Sequence, residues 1–248
     1  MTKTKLETFI KKYSLGGLHD EVRWTSKDGT LSMNEMTSDK KLMTSVEMNK
    51  FDAFKDSEFV IKDTNKFKGM LAPLSDNISI ELVAGDDNAD RIIQIHVEGE
   101  KVKFDYQAGD SEHLPTKPKV NNIPSYDVEI KLSDEFVSAF LKSKSALADV
   151  NLFTLIMSKK KNKLEMVLGY SSNTNTDRMI LDVETVEGKD KLKAPINFSA
   201  SVLKEILAAN SEVKNAILKV SEQGLAYVEF VNDDFKAKYY MIKVPVEE

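Results

Sequence analysis

Gly109-Asp110-Ser111-Glu112-His113-Leu114-Pro115-Thr116-Lys117-Pro118-Lys119-Val120-Asn121-Asn122-Ile123-Pro124 is the stretch on which the reading of the fold turns. Three of the chain's six prolines fall inside it. That composition reads as an extended, semi-rigid connector. It separates an N-terminal domain over residues 1–108 from a C-terminal domain over 125–248, with the connector itself spanning 109–124.

Working outward, each flank repeats one order of elements. Leu6, Phe9, Ile10 and Tyr13 stand at i, i+3, i+4, i+7 and end at Gly16-Gly17, a helix with one apolar stripe. Phe67, Met70, Leu71 and Leu74 repeat the spacing behind Asp63-Thr64. Beyond the connector, Phe136, Val137, Phe140 and Leu141 follow Ser133, with Asp134 and Glu135 at the positive end of the helix dipole. Val202, Leu203, Ile206 and Leu207 follow Ser199.

Between the helices lie runs of strand character joined by polar turns. They cover residues 31–36, 42–48, 78–83, 91–97 and 102–106 in the first half, and 152–157, 164–170, 179–183, 216–220, 226–231 and 236–244 in the second. Tight polar turns between short strands predict antiparallel meanders, and four short helices are too few for parallel βαβ units. Leu31 and Leu164 open equivalent strands, and Phe67 corresponds to Leu203. The sequence therefore predicts an α+β protein of two similar domains, each with two short helices packed on antiparallel sheets, related by internal duplication.

Composition narrows the function. With 248 residues, 41% hydrophobic and 30% charged, the chain can bury a core and is not of disordered type. It has no cysteine, which excludes disulfides, thiolate nucleophiles and cysteine-ligated metals. His19, His96 and His113 are scattered without metal-ligand spacing, and Asp86, Asp87 and Asp90 occupy a turn without the rest of a calcium loop. No phosphate-binding loop, nucleophile elbow or dinucleotide fingerprint is present, so neither catalysis nor a cofactor or metal is expected. No apolar run approaches the roughly 18 residues of a membrane span, and the first thirteen residues lack a signal-peptide core. The expectation is an intracellular protein without a membrane partner, and the sequons at Asn77 and Asn197 read as chance matches.

Placement of charge says more than its total. The formal net charge is −5, against the usual basic balance of nucleic-acid partners. Yet the first helix has Lys3, Lys5, Lys11 and Lys12 against Glu7, and the second has Lys62, Lys66 and Lys68 against Asp63. Lys131, Lys142 and Lys144 outnumber the acids of the third segment, while Lys204 and Lys214 balance Glu205 and Glu212 in the fourth. Positive charge is concentrated on the helices and negative charge elsewhere, which suggests a shared basic surface. Lys159-Lys160-Lys161-Asn162-Lys163 bridges two strands and reads as a solvated turn.

In this setting Ile123-Pro124, followed by Tyr126-Asp127-Val128-Glu129-Ile130-Lys131 and Ser133-Asp134-Glu135-Phe136, resembles the end of the connector and the start of the second domain in DNA sliding clamps of the proliferating-cell nuclear antigen and T-even phage type. Asn34-Glu35-Met36-Thr37-Ser38-Asp39 resembles the first-domain hairpin of that family. Lys238-Tyr239-Tyr240-Met241-Ile242 with Pro245 resembles its terminal strand.

The resemblance implies a non-enzymatic processivity factor: a homotrimeric ring that encircles double-stranded DNA without reading its sequence. It would tether a DNA polymerase and other DNA-processing partners, and would be loaded by a clamp-loader ATPase. By position, Lys3, Lys5, Lys11, Lys12, Lys66, Lys68, Lys142, Lys144, Lys204 and Lys214 would face phosphates. Partner peptides would bind at Met36, Leu42, Leu114, Ile123, Tyr240 and Pro245. Subunits would join through two edge strands, Lys101, Val102, Lys103, Phe104, Asp105 and Tyr106 on one side and Arg178, Met179, Ile180, Leu181, Asp182 and Val183 on the other.

The sequence departs from the nuclear-antigen type at Lys40 and Lys41, where that type is less charged, and its acidic tail is shorter. The compartment would be a bacterial host's cytoplasm for a phage protein, or the nucleus for a eukaryotic or nuclear-virus one. Alternative readings are a monomeric polymerase accessory subunit that binds DNA through one basic face, and a lipid- or small-molecule-binding α+β protein.

Overall fold

Each helix begins where a short polar side chain can satisfy the free N–H groups of its first turn. Thr2 caps α1 (Lys3–Ser14), and Asp63 Oδ1 accepts from Lys66 N at 2.6 Å to cap α2 (Thr64–Leu71). Ser133 caps α3 (Asp134–Ala146) and Ser199 caps α4 (Ala200–Ala209), each accepting an N–H at 3.2 Å from the third residue on. A computed structural model describes residues 1–86, 88, 90–109, 114–118, 123–158, 162–171, 176–187 and 192–245. Asp87, His113, Lys159-Lys160-Lys161 and the acidic end Val246-Glu247-Glu248 lie outside the described residues, as does half of the connector run.

The chain divides into two compact units. Unit 1 takes Met1–Thr37, Met43–Lys119 and Val231–Ala237; unit 2 takes Ser38–Leu42, Val120–Phe230 and Lys238–Glu248. Apart from these short exchanged stretches, unit 1 holds β1 (Val22–Lys27), β2 (Thr30–Met36), β3 (Leu42–Met48), β4 (Ser57–Ile61), β5 (Ser79–Ala84), β6 (Ile92–Glu98) and β7 (Lys103–Gln107). Its strands run antiparallel in the orders β3-β2-β1-β4 and β5-β6-β7.

Unit 2 holds β8 (Val128–Leu132), β9 (Leu152–Ser158), β10 (Lys163–Leu168), β11 (Met179–Asp182), β12 (Glu184–Glu187), β13 (Ile196–Ser199), β14 (Ala216–Ser221), β15 (Leu225–Val231) and β16 (Phe235–Ile242). They order as β11-β10-β9-β13 and β12-β8-β14-β15-β16.

All seven strands of unit 1 have counterparts in unit 2, which adds β8 and β12. β11, β10, β9 and β13 take the places of β3, β2, β1 and β4, and β14-β15-β16 takes that of β5-β6-β7. Even β8 has a vestige in unit 1, where Thr2 bridges Asn77 and Ile78 N donates to Met1 O at 3.1 Å. The expected α+β duplication is what the chain forms, and Leu31 and Leu164 do open equivalent strands.

Strands β1, β4, β12 and β13 had no counterpart in the sequence reading. The reason is visible in β1: Val22, Arg23, Trp24 and Ser26 are all buried, so the alternation that marks a half-exposed strand is missing.

The two cores differ in content. In unit 1 Trp24 is ringed by Phe9, Tyr13, Phe59 and Phe67 at centroid distances of 5.5 to 6.3 Å, and Phe67 reaches Tyr106 on β7 at 5.0 Å. One indole thus ties α1, α2 and both sheets together, each edge-to-face pair adding about 0.5–1.5 kcal/mol beyond its buried area. In unit 2 Phe140 of α3 meets Phe153 of β9, which lies against Phe198 of β13, within a mainly aliphatic core. Asn210 closes α4 by donating to Ile206 O and to the Tyr239 hydroxyl, both at 2.9 Å.

Candidate DNA-binding and partner-binding surfaces

The amphipathic pattern that buries Leu6, Phe9, Ile10 and Tyr13 leaves Lys11 of α1 exposed. The same pattern leaves Lys66 and Lys68 exposed on α2 and Lys142 on α3. These four carry their charge into water. Lys3 Nζ instead donates to Leu74 O at 2.7 Å, and Lys5 pairs with Asp234 at 3.1 Å and donates to Asn49 O. Lys214 pairs with Asp134 at 2.9 Å, and Lys204 stands 3.8 Å from Glu205.

Two of the expected phosphate-facing lysines must be withdrawn. Lys12 is 1% exposed, its ammonium 5.4 Å from the centroid of the Phe235 ring, and buried Lys144 donates to Ala148 O at 2.8 Å to close the end of α3. Both sit on the inward half of their helices, and a lysine there serves packing and carbonyl satisfaction instead of a ligand.

The two expected edge strands are open edges within their units. Among the described residues β7 has β6 as its only ladder partner, and β11 has only β10. Lys101 and Val102 lie in the turn before β7, while Arg178 and Val183 flank β11. Alternation along these strands splits the residues. Tyr106 and Leu181 are buried, the Tyr106 hydroxyl accepting from Asp63 N at 2.9 Å, whereas Val102, Lys103, Asp105, Ile180 and Asp182 are exposed. His96 Nδ1 lies 2.6 Å from Asp105 Oδ1 on the outer side of the β6–β7 ladder. A groove of about 530 Å³ runs between α3 and β11, lined by Phe136, Ala139, Met179, Ile180 and Leu181.

The strands equivalent to β7 and β11 in the duplication are β16 and β3, and their ends are hydrogen-bonded. In unit 1 Asn49 N donates to Asp234 O at 2.8 Å, and in unit 2 Ile242 N donates to Lys41 O at 2.9 Å.

Of the six expected peptide-binding residues, Met36 and Leu114 belong to unit 1, and Leu42, Ile123, Tyr240 and Pro245 to unit 2. Met36, Ile123 and Pro245 are exposed and Leu114 and Tyr240 half-buried. Leu42 is corrected: at 2% exposure it is a core residue, because its place at the start of β3 points it inward.

Two features escaped the sequence reading. In unit 2 Tyr240 does not stand alone: Tyr227 packs against it at 4.7 Å, and Tyr126 stacks on Tyr227 at 5.8 Å. Burial pushes the Tyr126 hydroxyl up to about 12. Burial, followed by the nearby Glu229 carboxylate, pushes Tyr227 higher still. Tyrosines on two strands, β15 and β16, and in the segment before β8 give no spacing signal; only the tertiary fold brings them together. Also in unit 2, a cleft of about 630 Å³ opens beside Pro245, lined by Leu152, Tyr170, Asn197 and Val244.

In unit 1 the start of the connector is latched to the sheet. Arg23 Nη2 donates to Pro115 O and Asn34 Nδ2 to Pro118 O, both at 3.3 Å, while Lys117 Nζ reaches Glu58 at 2.6 Å and Thr25 Oγ1 at 2.9 Å. Burial works to raise the Glu58 pKa, but Lys117, Thr25 and Arg23 outweigh it and hold the carboxylate below its ordinary value. Glu35 beside them is raised by burial against the opposing pull of Arg23. Pro115 and Pro118 thus lie where polar partners await their carbonyls.

Among the described residues, no group of three His, Asp or Glu side chains could hold a metal ion, and no helix is long and apolar enough to cross a membrane.

Duplicated units of short helices on antiparallel sheets are the fold of sliding clamps of the proliferating-cell nuclear antigen (PCNA) type. No protein-family model matches the sequence, and no curated protein matches it either. Solved structures do. The PCNA of A. fulgidus, in a complex with the C-terminal region of FEN-1, superposes with a TM-score of 0.71 at 15% identity over 100% of this chain and 98% of that one. The PCNA of Entamoeba histolytica superposes at 0.69 with 16% identity over 96% of each chain.

Proposed function

We propose that this chain is a sliding clamp: a closed ring of identical subunits that encircles duplex DNA and tethers a polymerase and other DNA-processing proteins, without catalytic chemistry of its own. The observation that carries the proposal is the mismatch in edge use between equivalent strands. The ends of β3 and β16 are hydrogen-bonded, whereas their duplicates β11 and β7 keep one side open. An open edge is a template for another strand, and repeat equivalence makes β7 of one copy the natural partner of β11 of the next. The contact is head-to-tail, so it generates a ring if the rotation closes. With two repeats per chain, three copies give six repeats, and the groove beside β11 receives side chains from the incoming strand.

Lys11, Lys66, Lys68 and Lys142 face the phosphates in this reading, with Lys3, Lys5, Lys204 and Lys214 adding charge already partly neutralised within the chain. Contacts from long, solvated ammonium groups are independent of sequence and weaken with salt, which suits a part that must slide. An acidic exterior keeps DNA from coating the outside, so entry requires that the ring be opened, the task of a clamp-loader ATPase. The residues offered to partner peptides are exposed Met36 and half-buried Leu114 in unit 1 and, in unit 2, exposed Ile123 and Pro245 with half-buried Tyr240. The A. fulgidus PCNA, bound to the C-terminal region of FEN-1, supplies a precedent in that protein.

Size-exclusion chromatography with light scattering tests the reading. The native chain is expected at three times its monomer mass, and Ile180→Asp on the open edge at the mass of one chain. A native monomer at micromolar concentration would sink the stable ring.

A further inference from the structure

The exposed face of the last two strands of unit 2 combines apolar surface with unneutralised positive charge. Tyr126, Tyr227 and Tyr240 form a continuous stack, and Ile242, two residues on and on the same face of β16, is 46% exposed. Ile242 N donates to Lys41 O, which places the Lys40-Lys41 turn beside it, with Lys40 in the left-handed region at φ 58°. On the other side the Lys243 stem lies over Gly224, at φ +95°, where any Cβ would collide with it.

The acids of this neighbourhood are occupied. Asp39 accepts from Lys41 N, Glu129 is paired with Lys219, and Glu229 stands beside the Tyr227 hydroxyl. Lys40, Lys41 and Lys243 meet no carboxylate among the described residues, and all three are exposed.

We propose that this face selects partner peptides in which acidic residues flank an apolar or aromatic plug, with Lys40, Lys41 and Lys243 as the specificity-determining cations. The inference rests on the clamp reading given above and names the chemistry of its partner. Apolar contact with Tyr240 and Ile242 anchors the plug, and three rim ammonium groups attract acids and repel bases. A nucleic-acid strand also carries negative charge and stacks on aromatic rings, but Tyr227 already contacts two rings, so the three tyrosines offer fewer open faces to successive bases than separate rings would. That favours a peptide.

Fluorescence anisotropy on the full-length chain tests the proposal with three labelled dodecapeptides that share one Leu-Phe-Leu-Phe core flanked by aspartates, serines or lysines. At 50 mM salt the aspartate peptide is expected to bind about tenfold tighter than the serine peptide and the lysine peptide weakest, since a rim charge contributes modestly and three act together. Lys40→Ser with Lys41→Ser and Lys243→Ser, exposed positions whose loss leaves the core intact, should bring the aspartate peptide to the level of the serine one. Tyr240→Ala should weaken all three. Equal binding of the three peptides, still lost in Tyr240→Ala, would overturn the acidic preference while leaving the peptide surface in place. No binding of any peptide by a native trimer would overturn both. Displacement of the aspartate peptide by oligo-dT at equal concentration would reassign the face to single-stranded nucleic acid.

Discussion

The two units repeat one topology on different materials. In unit 1 an aromatic cluster centred on Trp24 joins both helices to both sheets, and the helices present Lys11, Lys66 and Lys68 to water with no acidic residue in either first turn. In unit 2 the core is largely aliphatic, α3 opens with Asp134 and Glu135, Lys144 is buried, Lys214 is paired, and Lys142 is the exposed lysine left over. The shared strand order shows that topology follows the pattern of apolar positions and turns, which both halves keep. The differences show that core identity and surface charge are free to diverge once that pattern holds. Unit 1 has the larger share of unneutralised positive charge on its helices, and unit 2 has the tyrosine stack.

The comparison can be broken first at the cores. Trp24→Ala should cost unit 1 about 3–5 kcal/mol, since the indole is its common contact. In chemical denaturation followed by circular dichroism, an early transition covering part of the signal is expected, with unit 2 unfolding near its native midpoint. Full loss in one step would show that the units do not unfold separately.

Next in size is the charge asymmetry. Replacing Lys11, Lys66 and Lys68 together by Ser should lower the dependence of log affinity for duplex DNA on log salt by about three. Lys142→Ser should lower it by about one. Equal effects would remove the asymmetry, and no effect on either would remove these helices from the DNA surface.

A smaller difference is acid sensitivity. His19 in unit 1 is buried with Nε2 2.9 Å from Thr44 Oγ1, and burial lowers its pKa to about 4 from an ordinary value near 6.5. The unfolded chain then binds the proton that the folded one refuses, so stability is full above pH 6.5 and falls as pH drops toward 4. At pH 5 the loss is about 2 kcal/mol. Thermal melts between pH 7 and 5 should show it, and His19→Gln should flatten the curve; an unchanged slope would assign the acid sensitivity elsewhere.

The smallest change lies at the helix caps. Asp63→Ala in unit 1 and Ser133→Ala in unit 2 should each cost about 1 kcal/mol in urea titrations. A much larger value for Asp63 would mean that its backbone contact with the Tyr106 hydroxyl depends on the same side chain.

What was legible in the sequence follows from how local each signal is. The helices, three of their caps and the duplication could be read from apolar spacing and from Asp63, Ser133 and Ser199, because those interactions span three or four residues. Strand β1 was hidden because it is buried on both faces, and β13 because four residues carry too little pattern. Of the candidate site, the open edges and the exposed lysines could be read. Lys12 and Lys144 could not be separated from them, since a lysine at a helix flank looks the same whether its stem runs outward or inward. Leu42 shows the same limit, one inward residue among a set chosen by position.

The sequence by itself determined the kind of fold, the two repeats, and the separation of basic helices from acidic remainder. Periodicity and composition act along the chain and need no partner. Tertiary structure alone decided which strand edges stay open, which lysines keep their charge in water, and which three tyrosines stack into one surface. Each of these depends on register and burial between residues tens to more than a hundred positions apart, and no local pattern encodes such a pairing.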